Sequence, residues 1–391
     1  MFWGIDLWKK LLLAGSSVCL TIVAIELLLA YPVYQFYRGG GYSFYDRPHW
    51  HKVFLADPDV GYVLSPNLNI EMDVKPEVPT APRKIAIFDF QTDKNGFRIS
   101  EDLDMQRTDP KEIRVFALGG STTAGSAVAN NFTYPQQLED LFDDPQIRVV
   151  NAGAGGYRSI HLASLYKAKV RKFEPDVLLI YSGWNDYEDS LYAYWRPQDP
   201  HGHVFLSQMK MKKIPFSDFA IPWLLGKSYY SLMNYNRLEL AKYSPEYLAR
   251  YMSSANSNKW QEEYVTNIQR LIDMAKADDV VPVLILFPSP HFYNASEVVK
   301  KYAREDLDDA GRWDAFVVAL KSVRKHIHSL ADSNDVPLVD VNSAFEKYND
   351  NYKEKFLLFT DRMHPTKEGN KLIAEVLFEP ISKVIKNIQS N

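Results

Sequence analysis

The chain has 391 residues, 24% of them charged and 46% hydrophobic, with a formal net charge of −4. That is the composition of a globular protein of one large domain or two smaller ones, and its mild negative charge excludes the basic footprint of a nucleic-acid binder. A single cysteine, Cys19, excludes both a disulfide framework and a thiolate metal site.

The first element expected is a membrane anchor. Lys9 and Lys10 precede an apolar run over residues 11–37 in which Glu26 is the one charge. About 20 apolar residues suffice to cross a bilayer as a helix. Trp3, Trp8, Tyr31, Tyr34 and Tyr37 flank the run as interfacial aromatics do. No small-residue cleavage pattern follows, and Val18 before Cys19 does not fit a lipoprotein site, so residues 1–37 read as an uncleaved signal anchor. The paired lysines place the N-terminus in the cytoplasm and the body of the protein outside it. Glu26 reads either as a contact to a membrane partner or as a group that reaches water at the outer interface.

Residues 38–110 are rich in Pro, Gly, Asn and Asp, and "DPDVGYVLSPN" (57–67) and "TDKNGFRIS" (92–100) read as turns with short strands. The expectation is a β-rich extension packed on a main domain over 111–391. From residue 113 strands alternate with helices, the pattern of a parallel sheet covered on both faces. The expected strands are "IRVFALGG" (113–120), "IRVVNAGAGGY" (147–157), "PDVLLIYSGWND" (175–186), "DDVVPVLILFPSP" (278–290) and "VPLVDVNSAF" (336–345) with their exits. Helices are expected through "TYPQQLEDLF" and "IHLASLYKAKVRKF", and from near Pro365 towards Ile388. The fold class is therefore a flavodoxin-like three-layer α/β/α with a five-stranded parallel sheet, preceded by a transmembrane helix. An aromatic-rich insertion over about 188–256 interrupts the domain and reads as a lid, a substrate wall or a partner surface.

The stretch "RVFALGGSTTAGSA" (114–127) invites three readings. A phosphate loop fails, because Ser126 stands where G-x-x-x-x-G-K-[ST] needs lysine. The G-x-S-x-G elbow fails, because Thr123 replaces its second glycine. What survives is a serine, Ser121, presented at the carboxyl end of the first parallel strand, where ligands bind in such sheets. The second strand exit is not a dinucleotide fingerprint, since Arg158 stands at its third glycine position. A nucleophilic serine needs a base, a group to orient that base, and donors for the developing oxyanion. Later loops supply them: Gly156 with a closely approachable N–H, Asn185 with a neutral amide, and Asp361 and His364 in "TDRMHPT".

These blocks, "LGGSTTAG", "NAGAGGY", "GWND" and "DRMHP", occur in the order found in the SGNH (GDSL-like) hydrolase family, which the chain resembles over residues 113 to about 378. Two positions depart: Gly120 stands where many members have aspartate, and Trp184 replaces a glycine. The resemblance implies that Ser121 is the nucleophile, His364 the base and Asp361 its partner. It implies an oxyanion hole from the Ser121 N–H, the Gly156 N–H and the Asn185 side chain, with Trp184 against the substrate. It implies no cofactor and no metal, and "HGH" (201–203) reads as coincidence. His49, His51, His161, His291, His326 and His328 read as structural. A signal-anchored domain with "DPDVGY…PN" and "NGFR" upstream also resembles bacterial proteins that modify envelope glycans. The implied function is an esterase or O-acyltransferase acting on O-acyl, chiefly O-acetyl, groups of an extracytoplasmic glycan. Its partners would be an acylated glycan or small ester, the membrane, and a membrane-bound O-acyltransferase. The competing expectation is a non-catalytic, membrane-tethered glycan-binding or assembly protein on the same fold.

Overall fold

The computed structural model describes residues 14–18, 20–26, 53–74, 86–99, 101–187, 255–292, 310–348, 357–361 and 363–390, with a few isolated positions besides. The chain divides into two compact units, Met1–His51 with Leu206–Ser244, and Lys52–Phe205 with Pro245–Asn391. In the first unit, residues 14–18 and 20–26 are helical, and Val18, Leu20, Ile22 and Val23 are exposed. Among the described residues no helix is long and apolar enough to cross a membrane. Most of the anchor expected over 1–37, and nearly all of the insertion expected over 188–256, lie outside the described residues.

The second unit begins with two antiparallel hairpins. Strands β1 (Phe54–Asp57) and β2 (Gly61–Leu64) pair across a short turn. The turn closes because the Asp57 carboxylate accepts hydrogen bonds from the backbone N–H groups of Asp59 and Val60, both at 2.9 Å. Strands β3 (Asn69–Val74) and β4 (Ala86–Gln91) form the second pair. The following turn is built on Asp93, whose Oδ1 accepts from Asn95 N and Phe97 N.

Five parallel strands then make the main sheet: β5 (Ile113–Gly119), β6 (Ile147–Asn151), β7 (Val177–Tyr181), β8 (Val281–Leu286) and β9 (Leu338–Asp340). They fall on the five expected runs, in the order β6-β5-β7-β8-β9. Every residue of β5 and β7 is buried, as a strand covered on both faces demands. The helices are α1 (Ser121–Ala124), α2 (Tyr134–Phe142), α3 (Ser159–Ala168), α4 (Asn258–Ala277), α5 (Ala310–Asn334), α6 (Asn342–Glu346) and α7 (Lys367–Ser390). The path runs from β5 to β6 in one direction and from β6 through β7 to β9 in the other. Right-handed crossovers therefore put α2 on one face and α3, α4 and α5 on the other. The packing agrees: α2 pairs with α7, while α3 and α5 both pack on α4.

That reversal opens a crevice beyond the carboxyl ends of β5 and β7, where such sheets bind ligands. One buried side chain ties the two ends of the domain together there. Asn370, in the first turn of α7, accepts from the Tyr134 N–H at 3.0 Å and donates to the carbonyls of Pro365 and Thr366. Asn370→Ala leaves the Tyr134 N–H buried without its acceptor and is expected to cost about 1–3 kcal/mol. Urea unfolding of the variant beside the wild type measures it.

Candidate active site

Strand β5 ends at Gly119, and Gly120 turns the chain into α1, with Ser121 as its first residue. A side chain at Gly120 would place its Cβ 2.6 Å from Asn185 Nδ2 and 3.3 Å from the Tyr157 carbonyl oxygen. A side chain there would push the Asn185 amide away from the serine turn and crowd the Tyr157 carbonyl. The helix is one turn long, and its carbonyl end is held from outside. The Arg98 guanidinium donates to the carbonyls of Ala124, Gly125 and Val128, and its Nε to Asn130 Oδ1. Burial pulls the Arg98 pKa down to about 9, which leaves it charged at neutral pH.

Asp361 and His364 come from a loop closed on itself at its base. Thr360 N–H donates to the His364 carbonyl at 2.7 Å, Thr366 N–H to the Leu358 carbonyl at 3.0 Å, and Phe359 bridges to Pro365. Within this loop the Asp361 Oδ1 accepts from the backbone N–H groups of Met363 and His364, at 2.8 and 2.7 Å. Its Oδ2 lies 2.5 Å from His364 Nδ1, and His364 Nε2 lies 2.7 Å from Ser121 Oγ. A carboxylate only accepts, so Nδ1 carries the proton, and Nε2 is left as the acceptor for the serine hydroxyl. Burial alone would raise the Asp361 carboxyl, but the His364 imidazole and the two backbone donors outweigh it and hold the group below its ordinary range.

The other two expected donors come from the second and third strand exits, Gly156 after β6 and Asn185 after β7. Gly156 has φ +78°, a conformation glycine adopts without strain. Asn185 follows β7, and its Nδ2 donates one hydrogen to the Tyr157 carbonyl at 2.9 Å. That bond turns the amide nitrogen, rather than its oxygen, towards Gly120 and leaves its second hydrogen for a ligand. The neighbouring Asp186 is buried and accepts from the backbone N–H and hydroxyl of Ser159, which fastens the third strand exit to the start of α3. Burial raises the Asp186 carboxyl, with the Ser159 hydrogen bonds opposing.

Trp184 stacks on Phe316 of α5 at 5.2 Å and lies 5.5 Å from the His291 ring. His161 accepts from the Arg158 N–H at the start of α3, and His326 bonds Gln261. His49, His51 and "HGH" lie outside the described residues. Among the described residues no group of three or more His, Cys, Asp and Glu could hold a metal ion. Arg98 escaped the sequence reading: as local structure "NGFR" signals a turn, and nothing in it says that its arginine reaches residues 26 to 32 positions on.

The arrangement can carry out acyl transfer. A hydroxyl hydrogen-bonded to a neutral imidazole can lose its proton as it attacks a carbonyl, and a carboxylate beside Nδ1 stabilises the imidazolium that results.

Residues 117–372 match the profile of the GDSL-like Lipase/Acylhydrolase family. No curated protein matches the chain. Among solved structures, a GDSL-like lipase from Bacteroides thetaiotaomicron is 16% identical, with a TM-score of 0.40 over 72% of this chain and 92% of that one. An acetylxylan esterase from Geobacillus stearothermophilus is 17% identical, with a TM-score of 0.40 over 70% of this chain and 94% of that one.

Two substitutions separate the parts of this site. Asp361→Asn is expected to lower kcat on an activated ester by ~10⁴-fold, because it stabilises the wrong tautomer of His364. Asn185→Ala is expected to cost ~10²–10³-fold, the usual loss for one oxyanion donor. Steady-state kinetics on p-nitrophenyl esters reads both.

Proposed function

The chain belongs to the GDSL-like lipase/acylhydrolase family, and from that premise we propose that it is a serine esterase or O-acyltransferase acting on O-acetyl groups of a glycan outside the cytoplasmic membrane. The observation that carries the reading is the unbroken chain of hydrogen bonds from Ser121 Oγ through His364 to Asp361, at 2.7 and 2.5 Å.

In this mechanism Ser121 Oγ attacks the ester carbonyl while His364 Nε2 takes its proton. The negative charge that develops on the carbonyl oxygen is met by the N–H groups of Ser121 and Gly156 and by the Asn185 amide. As the tetrahedral intermediate collapses, the ester C–O bond breaks, His364 returns the proton to the leaving hydroxyl, and an acyl-serine remains. A second nucleophile, deprotonated by His364, then attacks the acyl-serine and regenerates the free serine. Water in that step makes an esterase, and a sugar hydroxyl makes a transferase.

The glycan assignment rests on "DPDVGY…PN", "NGFR" and the apolar run over 11–37, which together resemble membrane-anchored proteins that modify envelope glycans. In this reading the run tethers the protein to the membrane with the catalytic unit outside, within reach of a membrane-bound O-acyltransferase as acyl supplier. The length of the run, its flanking aromatics and its two lysines support the tether.

Hydrolysis of p-nitrophenyl acetate by the purified full-length chain tests the reading. Ser121→Ala is expected to lower the rate at least ~10³-fold; equal rates from the two proteins reject a serine enzyme. Mass spectrometry on an O-acetylated glycan then distinguishes the second step. Free acetate identifies an esterase, and acetyl groups on an added acceptor glycan identify a transferase.

A further inference from the structure

The region upstream of the family match contains a contact that bears on the chemistry. Tyr62, in β2, is fully buried, with Phe54 edge-on to its ring at 5.5 Å. Its hydroxyl donates to the Gly155 carbonyl oxygen at 2.8 Å. Tyr157 returns the contact: its own hydroxyl donates to the Tyr62 carbonyl at 2.7 Å. The two rings lie 5.1 Å apart, and the His161 ring stacks on Tyr157 at 5.2 Å.

The Gly155 carbonyl is one end of a planar trans peptide unit whose other end is the Gly156 N–H. The two groups point in opposite directions, so whatever holds the carbonyl aims the N–H. Residues 154–157 form a turn closed by the Tyr157 N–H donating to the Ala154 carbonyl at 3.2 Å. Gly156 has φ +78° while Gly155 does not have positive φ, which makes this a type II turn. Type II and type I turns differ chiefly by a half-rotation of their central peptide. Here the central peptide joins two glycines, whose side chains offer no steric resistance to the rotation.

We propose that Tyr62 is a positioning residue for the oxyanion hole: its hydroxyl locks the Gly155–Gly156 peptide so that the Gly156 N–H faces the carbonyl oxygen attacked by Ser121. The same turn orients the second donor, because the Tyr157 carbonyl takes the Asn185 amide at 2.9 Å. Both donors thus hang on one turn that a strand of the N-terminal extension clamps. The extension is part of the catalytic apparatus, and a domain cut at the start of the family match would lack its clamp. This inference rests on the serine-enzyme reading above.

The test uses the full-length chain and p-nitrophenyl acetate. Tyr62→Phe removes the hydroxyl and keeps the ring, and is expected to lower kcat ~10–10²-fold, short of the loss of a whole donor, while KM stays within twofold. Tyr157→Phe, which frees Tyr62 from its return bond, is expected to lower kcat in the same direction. The double variant should be no slower than Tyr62→Phe alone, since both act through one peptide. Near-ultraviolet circular dichroism checks that each variant is folded; should Tyr62→Phe fail to fold, the kcat of Tyr157→Phe carries the test. A folded Tyr62→Phe with wild-type kcat, or a loss confined to KM, overturns the clamp while the Ser121 requirement stands. A Ser121→Ala chain as active as wild type overturns the serine-enzyme reading, and the clamp with it.

Discussion

The hydrogen bond between Ser121 Oγ and His364 Nε2 joins residues 243 positions apart, and much of the second unit can be understood as what is needed to make it. Ser121 is fixed by the all-buried strand β5 and by the abrupt turn at Gly120. His364 is fixed by a loop pinned at its base between Leu358 and Thr366, and Asn370 then locks the start of α7 to the start of α2. Because the strand order reverses beside β5, these two anchors meet at the mouth of the crevice rather than on a flat sheet edge. The relay is short because Asp361 and His364 share one loop, so orienting the imidazole requires no third element.

The site depends on more than its family core. Arg98 holds the end of the serine helix, and the Arg98 backbone N–H donates to the Asn151 carbonyl at the end of β6. Asn151 in turn donates to the Thr123 carbonyl, so one segment braces both the first and second strand exits. Tyr62, from the first hairpin, does the same for the turn over residues 154–157 through its bonds with Gly155 and Tyr157. Such bracing suits a site that works by preorganisation: donors already aimed at a developing charge need no rearrangement as the charge forms. The crowding at Gly120 belongs to the same design. An aspartate before the serine, as many family members have, would meet the Asn185 amide and the Tyr157 carbonyl here.

Much of this was legible in the sequence, for identifiable reasons. Parallel strands buried on both faces leave continuous apolar runs, so "IRVFAL" and "VLLIY" announce themselves. Ser121, Asn185, Asp361 and His364 stand just beyond such runs or in one short late loop, and their polar identity there is unusual enough to read. The braces are not legible in the same way. Arg98 and Tyr62 lie in stretches whose Gly, Asp and Asn signal turns with short strands, and their partners lie 26 to 95 residues away. A tyrosine at an inward position of a hairpin reads as core packing, and only tertiary structure shows where its hydroxyl goes.

Covalent labelling by a fluorophosphonate tests the central claim most directly, because it requires the serine, the imidazole and the oxyanion donors to act together on one phosphorus centre. In that reaction the Ser121 Oγ–P bond forms, fluoride leaves, and His364 takes the hydroxyl proton. The expected result is an adduct that tandem mass spectrometry places on Ser121, formed at least ~10²-fold more slowly in His364→Ala. An adduct on another residue, or labelling of Ser121 at the same rate without His364, would contradict it.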